Sequence, residues 1–205
     1  MEYIEEADYD SLIIPYQDAM ANLMTRLDSL NNDYRRKYKN YPIHHMQERI
    51  KKKESIEEKL RRKGFEISVK GIEENLADVA GIRVICSFPD DIYATAKMLT
   101  DQDDIRVIQV KDYIINPKPN GYRSLHLILE VPIFLSNEKK NMKVEVQFRT
   151  IAMDFWASLE HKLKYKKNIE NAEEISKELQ RCAEASSQLD LRMQALRDRI
   201  EAERE

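Results

Sequence analysis

Glycine is scarce. Only Gly64, Gly71, Gly81 and Gly121 occur in 205 residues, against about 14 for average composition. No GxGxxG and no GxxxxGKS/T can be written from these four. The Rossmann and P-loop phosphate cradles are therefore excluded, because both need close backbone approach at glycine. If nucleotides bind here, side chains must hold their phosphates. Cysteine is scarcer still. Cys86 and Cys182 stand far apart and form no CxxC, so a disulfide framework does not fit. No apolar run approaches the ~18 residues of a membrane span. The first ten residues carry acids and no base, which fits neither a secretory signal nor a transit peptide. A cytoplasmic location away from membranes is expected.

Charge, by contrast, is abundant. Lys and Arg number 34 against 37 Asp and Glu, a net −3. A mildly acidic whole binds nucleic acid only through a local basic patch.

Two helical stretches flank a mixed centre. Ile13, Tyr16, Met20, Leu23, Leu27, Leu30 and Tyr34 recur at spacings of three and four. They predict an N-terminal helix over 11–41, with Pro15 in its first turn. Over 172–205, Ile175, Leu179, Cys182, Ser186, Leu189, Met193, Leu196 and Ile200 form a heptad seam, weakened at Cys182 and Ser186. These stripes either pack on the chain's own core or join copies of it. The core, 42–167, is expected to open with a helix from Pro42 to about Lys63, stopped by Gly64. GIRVICSF reads as a strand, and Pro89–Asp90 starts a short helix. DIRVIQVKDYII, SLHLILEV and MKVEVQF supply further strands. NPKPNGYRS is a loop. IAMDFWASLEHKLKYKK is helical, with Ile151, Phe155, Leu159 and Leu163 on one side. No repeat or low-complexity linker divides the chain, so 1–205 reads as one α/β domain.

Side chains alternate across strands, which sorts the chemistry. Ile82, Val84 and Cys86, then Leu125, Leu127 and Leu129, then Val144, Val146 and Phe148 make an apolar face. The opposite face carries Arg83, His126, Glu145, Gln147 and Arg149. Taken alone, such a face is most often a solvated one with paired charges.

Three further features add to it. Arg49, Lys52, Ser55, Lys59 and Arg62 step by three or four, a row of cations suited to a polyphosphate or to a salt-bridged helix surface. The loop from Lys111 places Lys118 and Arg123 around Tyr122, cations beside an aromatic that suits base stacking. Asp78 precedes the strand of Arg83, where it and Glu145 can offer oxygen to Mg²⁺. His44, His45, His126 and His161 lack the cysteines or spacing of a zinc site. Ser124 with His126 lacks an oriented base and an oxyanion pair, so no hydrolase triad is read.

RIKKKES, ADVAGIR, VKDYI, NPKPNGYRSLH, VEVQFRT and MDFWASLEHKLKYK, in that order over Pro42–Lys166, resemble the synthetase domain of the RelA/SpoT family. The long members' hydrolase and regulatory domains have no counterpart. The chain is most similar to a stand-alone small alarmone synthetase of the RelP type. The resemblance implies transfer of pyrophosphate from ATP to the 3′-hydroxyl of GDP or GTP. It also implies a mixed sheet of about five strands surrounded by helices, related to nucleotidyltransferases, with helical extensions at both ends. Arg49, Lys51, Ser55, Lys59 and Arg62 fall to ATP, with Arg49 and Arg83 embracing adenine. Asp78 falls to Mg²⁺, and Glu145 to the metal, to the base role, or to both. Tyr122 falls to guanine. His126, Gln147 and Asp154 fall to the acceptor, and Lys111, Lys118 and Arg123 to its phosphates. A homotetramer through the helical extensions is implied too. Gln109 stands where long members carry an arginine, which leaves GDP against GTP open. The rival reading is a single-stranded RNA-binding module built on the basic row and Tyr122.

Overall fold

The computed structural model describes residues 3–164 and 172–203. The sequence-expected positions 165–167 and 204–205 lie outside the described residues. Among the described residues, six helices surround one five-stranded sheet in the order β1-β2-β5-β4-β3. The strands are β1 (Ile43–Ile50), β2 (Ala80–Cys86), β3 (Arg106–Asp112), β4 (Leu125–Phe134) and β5 (Lys139–Thr150). Only β2 and β5 run parallel; the other three pairings are antiparallel. The sheet is therefore mixed, as expected.

The apolar face is covered by α1 (Glu6–Tyr38). Its inward stripe, Leu12, Ile13, Tyr16, Met20, Leu23 and Leu27, is buried against Val84, Leu127, Leu129, Val144, Val146 and Phe148 in one core. Burying each large apolar side chain contributes about 1.5–3 kcal/mol, so this stripe, not local propensity, holds a 33-residue helix in place. The helix begins five residues before the expected start, so Pro15 lies inside it rather than in its first turn. On the same side α4 (Pro89–Thr100) buries Ile92, Ala96 and Leu99.

The helix expected from Pro42 is corrected. Residues 43–50 form β1, and α2 starts only at Lys53, ending at Lys63. Met46 and Ile50 turn toward the core, while Gln47 and Arg49 stand opposite Arg83 and Gly81 on β2. This two-residue period was masked because the cations happen to keep helical spacing across the boundary. The row of Arg49, Lys52, Ser55, Lys59 and Arg62 is thus split between a strand, a helix cap and α2. Gly64 does stop α2: at φ 71° its N–H bonds to Leu60 O and Arg61 O, a left-handed cap that costs glycine little. A short helix, α3 (Val69–Asn75), was not expected; Ser68 caps it by accepting from Gly71 N at 3.0 Å.

The helices α5 (Ile151–Lys164) and α6 (Ala172–Ala202) carry most of their expected apolar stripes on the outside. α5 buries Met153, Trp156 and Ala157 and leaves Ile151, Phe155, Leu159 and Leu163 exposed. α6 turns Ala183 and Asp190 inward and leaves Leu189, Met193, Leu196 and Ile200 exposed. Both cysteines are free, Cys86 buried and Cys182 exposed. No helix among the described residues is long and apolar enough to cross a membrane.

Candidate functional site

Strand register builds the site. Gln47, Arg83, Gln147, His126 and Lys111 stand side by side across β1, β2, β5, β4 and β3. The neighbouring row runs Arg49, Gly81, Glu145, Ile128 and Gln109. Paired residues share a face, so one sheet surface gathers these groups. Between Arg49 and Glu145 the row holds only Gly81, and the floor drops there. A cleft of ≈ 580 Å³ opens on this spot, walled by Arg49, Lys51, Asp78, Arg83, Glu145 and Arg149. Gln47 and Glu48, which sequence reasoning assigned no role, line it as well.

A Cβ at Gly81 would meet nothing closer than 3.7 Å. Gly81→Val should therefore fold, since β-branched residues suit strands, yet fill the cleft. We expect a melting temperature close to the parent's and a rise of about ten-fold or more in the KM for the nucleotide held there. Parent kinetics in this variant would show that the cleft floor is not used.

Asp78 lies in the turn before β2, with two ammonium groups on one oxygen. Lys51 Nζ donates to Oδ2 at 2.7 Å and Lys59 Nζ at 2.6 Å. Burial pushes this carboxyl up, but the two lysine bonds outweigh it and hold the group below its ordinary value. Its other oxygen, Oδ1, is buried with no partner. Arg83 Nε and Arg149 Nε are in the same condition, and all three residues line the cleft. Buried polar atoms without partners are costly, and these three belong to side chains that line one cleft. Burial, and then the nearby Arg149 charge, push the Arg83 guanidinium down. Asp154, in the first turn of α5, answers both cations, at 3.4 Å from Arg83 and 2.9 Å from Arg149. One carboxylate between two guanidiniums leaves a demand that an anionic ligand would meet.

Five side chains then close a hydrogen-bonded ring. Arg149 Nη2 donates to the Tyr122 hydroxyl at 2.8 Å, and that hydroxyl meets His126 Nε2 at 2.8 Å. His126 Nδ1 meets Glu145 Oε1 at 3.2 Å. Gln147 Nε2 donates to Glu145 Oε2 at 2.8 Å, and Gln147 Oε1 accepts from Arg149 at 3.2 Å. With the imidazole neutral, every link has one donor and one acceptor: Tyr122 gives its proton to Nε2 and Nδ1–H points at Glu145. Burial pushes Glu145 up, but the bonds from His126 and Gln147 more than offset it. The result is an ionised carboxylate held in a fixed orientation. Arg149 belongs to the polar face read from sequence, but alternation alone gave it no contact; its part in the ring depends on the loop that delivers Tyr122.

The remaining expected residues divide. Lys118 Nζ sits over the rings of Tyr113 and Tyr122 at 4.6 and 4.8 Å. Lys111 is half-buried beside His126 on β3. Ser55 and Arg62 ride on α2 outside the cleft lining, Arg62 exposed. Arg123 is not brought to the sheet face; it pairs with Glu184 on α6 at 3.1 Å. Chemically, the arrangement offers two ionised carboxylates, a wall of cations and an aromatic beside them. That set suits a phosphate-rich ligand and a proton acceptor.

Residues 48–170 match the family described as "Region found in RelA / SpoT proteins". The GTP pyrophosphokinase YwaC of Bacillus subtilis is 44% identical over 194 residues, covering 95% of this chain and 92% of that protein. The GTP pyrophosphokinase YjbM of the same organism is 35% identical over 198 residues, covering 97% and 92%. Among solved structures, the small alarmone synthetase 1 of B. subtilis bound to its product pppGpp superposes with TM-score 0.84 at 37% identity, covering 94% of this chain and 97% of that one. The same enzyme bound to AMPCPP superposes with TM-score 0.78 at 32% identity, covering 96% and 99%.

Proposed function

The chain belongs to the RelA/SpoT family, and from that membership we infer a GTP pyrophosphokinase. It transfers the β,γ-pyrophosphoryl group of ATP to the 3′-hydroxyl of GDP or GTP, giving AMP and ppGpp or pppGpp. The observation that carries this reading is the convergence of Asp78, Glu145 and a cationic wall on one cleft beside Tyr122.

ATP lies along the β1–β2 side, with Arg49 and Arg83 about the adenine and Lys51 and Lys59 toward the phosphates. Ser55 and Arg62 on α2 extend that side outward. The acceptor lies along the β4–β3 side. Its guanine stacks on Tyr122, and Lys111 and Lys118 face its phosphates. His126, Gln147 and Asp154 hold the groups that meet it. The 3′-oxygen attacks the β-phosphorus in line. The new O3′–Pβ bond forms as the bond from Pβ to the bridging oxygen of AMP breaks, and AMP keeps the electron pair. Glu145 stands where the hydroxyl proton leaves, and the ring fixes the direction of its free lone pairs.

Mg²⁺ fits the donors present. Asp78 Oδ1 is a buried hard oxygen without a partner, and Glu145 is a second carboxylate on the same cleft. Two carboxylates with substrate phosphates and waters make a usual Mg²⁺ shell. When bound there, the ion supplies neutralisation of phosphate charge.

Of the two helical extensions, α1 buries its stripe in the chain's own core, and the exposed stripe of α6 supports a homotetramer joined there, because apolar rows of this kind are ordinarily covered. A cytoplasmic location agrees with the nucleotide substrates. Incubation with ATP labelled at the γ-phosphate and either GDP or GTP tests the function. Label should appear in ppGpp or pppGpp, and the ratio of the two rates gives acceptor choice. Label that never leaves ATP with either acceptor contradicts it.

A further inference from the structure

The loop carrying Tyr122 does not stand free; it is docked on α6. Gly121, at φ 91°, lies so close to the helix that a Cβ there would come within 2.5 Å of the Ala183 Cβ. Two residues on, Arg123 Nη2 donates to Glu184 Oε2 at 3.1 Å, and Nη1 to Gly121 O at 3.4 Å. The Arg123 side chain is only 14% exposed. Tyr122, between them, packs into a small apolar cluster with Trp156, Ala157, Leu179 and Ala183, separate from the main core. Trp156 Nε1 ties that cluster to α6 by donating to Leu179 O at 2.9 Å.

The helix itself is fixed to the end of the sheet. Ser186 Oγ donates to Ala152 O at 3.1 Å, the Thr150 hydroxyl bonds Asp190, and Gln194 accepts from Asp90 N at 3.1 Å. Thr150 directly follows Arg149 of the ring. The same helix therefore grips both the last residue of β5 and the loop that completes the ring.

We propose that α6 is a positioning element for the acceptor nucleotide, with Glu184 acting through Arg123 and Ala183 acting through Gly121. The proposal rests on the reading that Tyr122 takes the guanine. Consecutive residues divide the work: the Tyr122 hydroxyl enters the ring over the cleft, and the Arg123 guanidinium anchors the loop behind it. Arg123 is a strut in this arrangement and not a phosphate ligand. One tether would let the loop pivot about it. Two tethers, the close Gly121–Ala183 contact and the Arg123–Glu184 pair, set the height and the angle of the Tyr122 ring together. Orientation of this kind is what a stacked, in-line acceptor requires. The helix also bears the outward apolar stripe, so whatever covers that stripe would act on acceptor binding through these contacts.

Glu184→Lys reverses one tether at a position 61% exposed, and Ala183→Leu wedges the other at a position 4% exposed. Trp156 is the one tryptophan in the sequence, so its emission reports this junction during titration with GDP alone. We expect the GDP Kd and the acceptor KM to rise about five-fold in Glu184→Lys and further in Ala183→Leu. The KM for ATP should stay within about two-fold, and Glu184→Gln, which keeps an oxygen for Arg123, should stay close to the parent. An unchanged acceptor KM in Glu184→Lys, or equal rises for both nucleotides with a lowered melting temperature, overturns the proposal. Tyr122→Ala separates the two levels. If it raises the acceptor KM while Glu184→Lys does not, the acceptor site stands and the positioning role alone falls. If it leaves the acceptor KM unchanged, the guanine assignment fails and the positioning role fails with it.

Discussion

Glu145→Gln is expected to lower kcat by about three orders of magnitude, with nucleotide binding and melting temperature little changed. The substitution keeps volume and removes the ability to take a proton. It also tests the ring, because the carboxylate now accepts from both His126 and Gln147. An amide at this position offers one acceptor and one donor. The ring can answer by reversing a link: His126 then donates from Nε2 to the Tyr122 oxygen and accepts at Nδ1. The fold should survive for that reason, and a large fall in kcat at the parent's Mg²⁺ dependence is assignable to proton transfer, whereas one that excess Mg²⁺ restores is assignable to the metal. A kcat within about ten-fold of the parent would remove Glu145 from the reaction. The pH dependence has a definite sign. Burial pushes this carboxyl up, and the bonds from His126 and Gln147 pull it further down, to a net value below the ordinary one. Its contribution to stability is present above the unfolded pKa and is lost as pH falls through the depressed folded one. The acid limb of the rate should likewise fall below the ordinary carboxylate range in the parent and be absent in Glu145→Gln.

Asp78→Asn should reduce kcat/KM for ATP by about two orders of magnitude, and the Mg²⁺ concentration giving half the maximal rate should rise. Two effects combine. Lys51 and Lys59 share Asp78 Oδ2, and each of the three side chains is about a fifth exposed. Removing the anion leaves two ammonium groups facing each other, a cost of about 1–3 kcal/mol in stability. The buried Oδ1 is also replaced or blocked as a hard-cation ligand. Magnesium titrations separate these effects. A lowered melting temperature with parent Mg²⁺ dependence would make Asp78 a clamp for the lysines only. A shifted Mg²⁺ dependence is the expected result.

Much of the site follows from strand alternation. In β2, β4 and β5 the two-residue period sorts Arg83, His126, Glu145 and Gln147 from the core residues, and the structure keeps that division. The parallel register of β2 with β5, which sets Arg83 beside Gln147, is a long-range fact that no local pattern carries. β1 escaped notice because an edge strand buries little, and its cations kept the spacing of the helix that follows. α3 is seven residues long with Gly71 inside it, too short for a periodic stripe. For α6 the sequence left open whether its stripe packs inward or outward. Most of that stripe faces out, while the side that docks on the chain is made of Leu179, Ala183, Ser186, Asp190, Gln194 and Arg197. Small and polar contacts leave no hydrophobic signature, and so the turn of Arg123 toward Glu184 could not be read in advance.

Attack at the β-phosphorus, rather than at the α-phosphorus, distinguishes pyrophosphoryl transfer from nucleotidyl transfer on a related sheet. The direct measurement is the stoichiometry of small products in a Mg²⁺ reaction with ATP and GDP, followed beside Glu145→Gln. Pyrophosphoryl transfer at this cleft predicts one AMP for each ppGpp, no free pyrophosphate, and both products lowered together by about three orders of magnitude in the variant. Free pyrophosphate with adenylated guanosine nucleotide, or undiminished AMP in the variant, would contradict it.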